Sequence, residues 1–136
     1  MKRSPIIVSL PIADRRKSFA FYTTGLGLHP VGEPADDGVP EPLQFRLNDG
    51  LRLMLIPTGG FGWVVGNRMV AQSSHSECFI SITAGSESGV DELVLKAQQA
   101  GGAMVTEPTQ QPWGHAGAFT DPDGHVWQVT AGSPPD

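Results

Sequence analysis

The chain has 136 residues, a formal net charge of −5, and an ordinary globular composition apart from 17 Gly and 12 Pro, which imply many turns. That length suits one domain, or two small modules sharing a core, and suffices to bury about 70% of the unfolded chain's surface. The acidic balance excludes nucleic acid and anionic membrane as partners, since either selects a basic patch, and no apolar run approaches the ~20 residues that span a bilayer. The apolar segment after Met1-Lys2-Arg3 is too short for a signal peptide, so a cytoplasmic location is expected.

Val8, Leu10 and Ile12 alternate with Ile7, Ser9 and Pro11, which predicts a strand whose even positions face a core. Asp14 is placed to cap a helix from Arg15 to about Thr24, with Phe19 and Tyr22 on its buried face and Gly25 or Gly27 ending it. After a Pro/Gly/Asp-rich stretch from Gly32 to Pro42, Leu43 to Leu47 and Leu51 to Ile56 form a hairpin around Asn48-Asp49-Gly50. A three-residue loop puts Leu43, Phe45, Leu47, Leu51, Leu53 and Leu55 on one apolar, helix-covered face, and Gln44, Arg46, Arg52 and Met54 on the other. Thr58 to Ser76 is rich in Gly and Ser yet carries Phe61, Trp63, Val64, Val65 and Met69, and reads as a connection that also packs.

Glu77 to Thr83 repeats the first strand, with Cys78, Ile80 and Ile82 toward the core and Glu77, Phe79, Ser81 and Thr83 opposite. Cys78 is the single cysteine, so no intrachain disulfide exists; its apolar setting predicts an inert core residue. A second helix, about 88 to 100, carries the stripe Val90, Leu93, Val94 and Ala97, with Ser88 and Asp91 as a capping arrangement and Gly101 as its stop. Ala103 to Glu107 gives another strand. The chain then closes on AGAFTDPDGHVWQVT, residues 116–130, a hairpin around Asp121-Pro122-Asp123-Gly124. A four-residue turn sets Ala118 opposite Trp127 and Ala116 opposite Val129 on the buried face. Val126, Gln128 and Thr130 point the other way, with His115 across from Thr130 and near Gln128. Ser133-Pro134-Pro135-Asp136 is expected to fray.

Strand, helix and three strands therefore occur twice, in about 6–57 and 77–131, joined by 58–76. The expected fold class is α+β, two βαβββ modules whose uncovered faces enclose a common concave cleft. On that cleft Arg46 and Arg52 are placed to hold a ligand carboxylate, and Trp63, Trp113 and Phe79 to stack on a flat one. Trp127 belongs to the core, and His29, His75 and His125 read as surface residues.

Two stretches resemble the vicinal oxygen chelate superfamily, which includes glyoxalase I, extradiol dioxygenases, fosfomycin resistance enzymes and bleomycin resistance proteins. DPDGHVWQV is similar to that family's closing hairpin, and LPIADRRKSFAFYTTGLGL to its first strand and helix. In metal-dependent members each module supplies two ligands, one from its first strand and one from its last. The resemblance places Ile7, Met54, Glu77 and Gln128 at those positions, where isoleucine offers no donor and a thioether is a poor partner for a hard or borderline cation. It therefore implies a member without a metal cofactor, holding a small, partly planar organic molecule with Met54, Glu77, His115 and Gln128 among its contacts. The alternatives are a lactoylglutathione lyase-like or dioxygenase-like enzyme using Zn, Ni, Fe or Mn on Glu77, Gln128 and His115 or His75, and a metal-independent enzyme with Glu77 as general base.

The resemblance also implies a homodimer, consistent with the open strand edges of two small sheets. Sedimentation at micromolar concentration is expected to give the mass of two chains; a monomer at that concentration refutes the expectation.

Overall fold

Alternation in LQFRLN and LRLMLIP decides the first sheet, because only one parity puts every large apolar side chain on the same face. The computed structural model describes residues 4–132, so Met1-Lys2-Arg3 and the tail 133–136 lie outside the described residues. The chain divides after Val70 into two units. The first contains strands β1 (Ile6–Ile12), β2 (His29–Pro30), β3 (Leu43–Asn48) and β4 (Leu51–Pro57), in the order β1-β4-β3-β2. β1 runs parallel to β4, with Val8 beside Leu53 and Leu10 beside Leu55. Antiparallel β3 sets Leu43 against Leu55 and Phe45 against Leu53, and all four are buried. Near the turn Asn48 bridges Leu51, leaving Leu47 in a bulge, and the Asn48 side chain accepts from the Gly50 amide at 2.9 Å. Leu43, Phe45, Leu53 and Leu55 keep the predicted face, whereas the expected three-residue loop is shortened to Asp49-Gly50, so Leu47 does not pair with Leu51 and both are only half-buried.

Helix α1 (Arg15–Ala20) continues as one π turn, Phe21–Gly25. Asp14 caps it as expected, accepting from the amides of Arg16 and Lys17 at 2.9 and 3.2 Å. Phe21 and Tyr22 are fully buried, and the Tyr22 ring lies 5.5 Å from that of Phe45. Arg15 works in the other direction, fastening the loop that precedes β3. Its guanidinium donates to the Asp37 carboxylate and to the carbonyls of Val39 and Pro40, and its Nε lies 3.2 Å from the Glu41 carboxylate as an ion pair without hydrogen-bond geometry. The Val39 amide, bonded to Asp37 Oδ1 at 3.0 Å, and then the Arg15 charge hold the Asp37 carboxyl below its ordinary range against the opposing effect of desolvation.

Residues 58–64 depart from the expected irregular connection, since Thr58–Val64 forms a short helix, α2. Gly59, Gly60 and Gly62 hid it by lowering helix propensity. They are tolerated because the helix is anchored from outside: Thr58 Oγ1 donates to the Ile12 carbonyl at 3.1 Å. A Cβ at Gly60 would come within 3.3 Å of Ile56 Cγ2, so a small residue lets the helix lie close to β4.

The second unit contains β5 (Phe79–Thr83), helix α3 (Glu87–Gln99), β6 (Ala103–Gln111), β7 (Gly114–Thr120) and β8 (Val126–Thr130), with the sheet ordered β5-β8-β7-β6. Each unit is therefore strand, helix and three strands with the first strand beside the last, which is the α+β pattern of two βαβββ modules. Val90, Val94 and Ala97 of α3 are buried. Ser86, rather than Ser88, is the cap; its hydroxyl accepts from the Gly89 amide at 3.0 Å, two residues earlier than the sequence suggested. β6 runs beyond Glu107 to Gln111, and its pairing with β7 is broken on both sides of Thr106. Pro108, which has no N–H to donate to a ladder, lies in the second break. No helix among the described residues is long and apolar enough to cross a membrane.

Two expectations in this unit fail. β5 begins at Phe79, opposite Val126, so Glu77 and Cys78 precede the strand and Cys78 is exposed rather than in the core. β8 starts at Val126, immediately after the turn, and offers these two residues nothing to pair with. The closing hairpin is also shifted by one residue. Asp121 Oδ1 accepts from the amides of Asp123 and His125, both at 2.9 Å, and the Asp121 amide donates to the His125 carbonyl. His125 thereby joins the loop, making it five residues, 121–125. Phe119, not Ala118, stands opposite Trp127, their rings stacked at 6.4 Å and 3°; Gly117 is opposite Val129, and Ala116 opposite Thr130.

Gly117 consequently faces α3, where an added Cβ would lie 3.2 Å from Val94 Cγ2 and 3.0 Å from Pro108 Cγ. Gly117→Val is expected to cost about 1–3 kcal/mol in chemical denaturation through overpacking. Wild-type stability would contradict the five-residue loop.

Candidate functional site

In each unit the helix covers one sheet face, and chemistry is left to the opposite, open face. On the first unit β1 contributes Ile7 and Ser9, β3 contributes Gln44 and Arg46, and β4 contributes Arg52 and Met54. Register makes two rows of these side chains. Arg46 is directly opposite Arg52, which has Ile7 on its other side; Gln44 is opposite Met54, which has Ser9 on its other side. β2 extends the first row, since His29 pairs with Arg46. Gln44 carries a buried Oε1 with no hydrogen-bond partner among the described residues. Trp63 lies on α2 with its ring exposed.

On the second unit β5 places Phe79, Ser81 and Thr83 on the open face beside Val126, Gln128 and Thr130 of β8, with Ala116 and Ala118 of β7 next to them. Gln128 is tied down, its Oε1 accepting from Ser81 Oγ at 3.2 Å. Phe79 is largely exposed, as is Trp113 in the β6–β7 turn. Glu77 is exposed and outside the strand, so its backbone is not fixed by the sheet.

His115 is not on this face. The added loop residue turns it toward α3, where Nε2 lies 2.9 Å from Asp91 Oδ1 and Nδ1 lies 3.5 Å from Glu87 Oε1. Its side chain is 14% exposed. The sequence singled out the histidine but missed its partners; spacing Glu87 and Asp91 four apart on one helix face was the available signal. The sequence also missed the Ser81–Gln128 bond and the row that joins His29 to the two arginines. Among the described residues no group of three or more His, Cys, Asp or Glu is arranged to hold a metal ion.

Comparison with known proteins follows this geometry. Residues 6–129 match the family described as the Glyoxalase/Bleomycin resistance protein/Dioxygenase superfamily. Among solved structures, a hypothetical protein from S. aureus aligns at 28% identity and a TM-score of 0.77, covering 95% of this chain and 93% of its own. A glyoxalase-related enzyme from Fulvimarina pelagi aligns at 27% identity and a TM-score of 0.77, covering 95% of this chain and 87% of its own. A protein from Agrobacterium tumefaciens shares the fold at 23% identity and a TM-score of 0.71, over 98% of this chain and 100% of its own. No curated protein matches the chain in sequence.

The His115 contacts fasten β7 to the first turn of α3, though both carboxylates are well exposed. His115→Ala is expected to lower stability by about 1 kcal/mol in urea denaturation. An unchanged midpoint would show that these contacts contribute nothing.

Proposed function

Because the chain belongs to the glyoxalase/bleomycin resistance protein/dioxygenase superfamily, we propose that it binds a small, partly planar organic molecule on the open sheet face of its first unit and does so without a metal cofactor. The observation that carries this reading is the first unit's open face. At the two positions where the resemblance expects metal donors, this face presents the hydrocarbon of Ile7 and the thioether of Met54. Of the second pair, Gln128 is a neutral amide already engaged by Ser81, and Glu77 lies outside the strand. One carboxylate and one amide do not offset the dehydration of a divalent cation. These residues therefore do not fit the metal, and no catalytic step is derived through one.

The same face suits an organic ligand, combining apolar surface from Ile7 and Met54 with polar groups from Ser9, Gln44, Arg46 and Arg52. Phe79, Trp63 and Trp113 supply exposed aromatic surface within their own units. A metal-dependent lyase or dioxygenase is the second reading, supported by the description of the Fulvimarina pelagi neighbour as a glyoxalase-related enzyme.

Elemental analysis of protein purified without chelators or an affinity tag separates the two. Substoichiometric Zn, Ni, Fe and Mn, together with a melting temperature unaffected by EDTA, is the expected result. One equivalent of any of these metals, lost with activity on chelation, would replace the binding reading with the enzymatic one.

A further inference from the structure

We propose that the row formed by Arg46 and Arg52, with His29 at its outer end, is an anion site that takes the carboxylate or phosphate group of a small organic ligand. This deepens the binding reading above and rests on it. Directly opposed residues on antiparallel strands hold their Cβ atoms about 5 Å apart on one face, and like charges so placed repel. Arg46 and Arg52 are such a pair, on a chain with 14 acidic and only 9 basic residues, so composition does not force the encounter. No carboxylate among the described residues is ion-paired with either arginine. Two arginines on directly opposed positions carry between them two forks of N–H donors, the groups that grip a carboxylate or phosphate through paired hydrogen bonds. His29, paired with Arg46, extends the row of nitrogen groups by one strand.

The neighbouring row narrows the ligand further. Gln44 stands two residues from Arg46 on the same face, about 7 Å along the strand, and its buried Oε1 has no partner among the described residues. A buried acceptor left unpaired is costly, and turning the half-buried Gln44 amide outward to an N–H or O–H of the ligand would satisfy it. Ile7 and Met54 flank the two rows with apolar surface. The ligand class is thus an organic anion with a flat apolar body and a donor roughly 7 Å from its charge.

The test uses the intact chain and three probes: 4-hydroxybenzoate, phenyl phosphate and the neutral 4-hydroxybenzamide. Backbone amide shifts and titration calorimetry are expected to show one or both anions binding more tightly than the amide, with shifts along β3 and β4. Preference between the two anions identifies the group. Arg46→Gln and Arg52→Gln should each weaken anion binding about tenfold, while the melting temperature holds or rises because a like-charge contact is removed. Loss of a residue with only a structural role would lower the melting temperature together with binding. Equal affinity for the amide, anion binding unchanged in both variants, or no binding of any probe would each overturn the anion site. The metal-free reading stands or falls separately, on metal content.

Discussion

Pressure between each sheet and its helix sets the register from which every other feature follows. In the first unit Leu43, Phe45, Leu53 and Leu55 lie on the same side as Phe21 and Tyr22; in the second, Phe119, Trp127 and Val129 lie on the side of Val90, Val94 and Ala97. Burying each large side chain contributes roughly 1.5–3 kcal/mol. A slip of one residue on any inner strand would turn several of them outward together, more than a domain's whole net stability can absorb. The open faces are consequences of this constraint, because residues between the buried ones have nowhere else to point. Glycine supports it where helix and strand approach most closely, at Gly117 against Val94 and Pro108.

The two units share a topology and differ in chemistry. The open face of the first is cationic and apolar, with two arginines above a row of glutamine, methionine and serine. That of the second is neutral, its glutamine and hydroxyl residues satisfying one another in part, as Ser81 does for Gln128. Repetition of a supersecondary pattern therefore does not imply a repeated site.

Legibility in the sequence followed the strength of alternation. The faces of β3 and β4 were read correctly away from the turn because large apolar residues share one parity, while the Asn-Asp-Gly turn closes one residue tighter than expected and leaves Leu47 in a bulge. β7 was misread because its residues are small: AGAFT tolerates either parity, and the outcome rests on the Asp121 side chain capping two amides and drawing His125 into the loop. One misplaced loop residue then moved His115 from the open face, where it was expected, to α3. The short helix at 58–64 was invisible for a different reason, since its three glycines argue against a helix that only its anchoring to β1 and β4 explains. Cys78 was misplaced because a strand was extended by pattern beyond the point where its neighbour begins. The order of the main strands, the two helices flanking the sheets and the arginine-bearing face were available before any coordinates; the edge strand β2, only His29–Pro30, was too short to show a pattern. The partners that fix individual polar side chains were not, because they come from residues distant in sequence.

Arg15 has a consequence for how the first unit breathes. Its one side chain reaches Asp37, two carbonyls and Glu41, while Asp37 in turn holds the Val39 amide. Contacts that converge on a single residue hold the loop redundantly, since losing any one leaves the rest in place, whereas withdrawing the Arg15 side chain removes all of them at once. Acid weakens the cluster from the Asp37 side: with its carboxyl held below the ordinary range, the contribution is complete above the usual carboxylate pKa and is lost as pH falls through the depressed value. The loop and the first turn of α1 thus form a small cooperative element of their own within the larger fold.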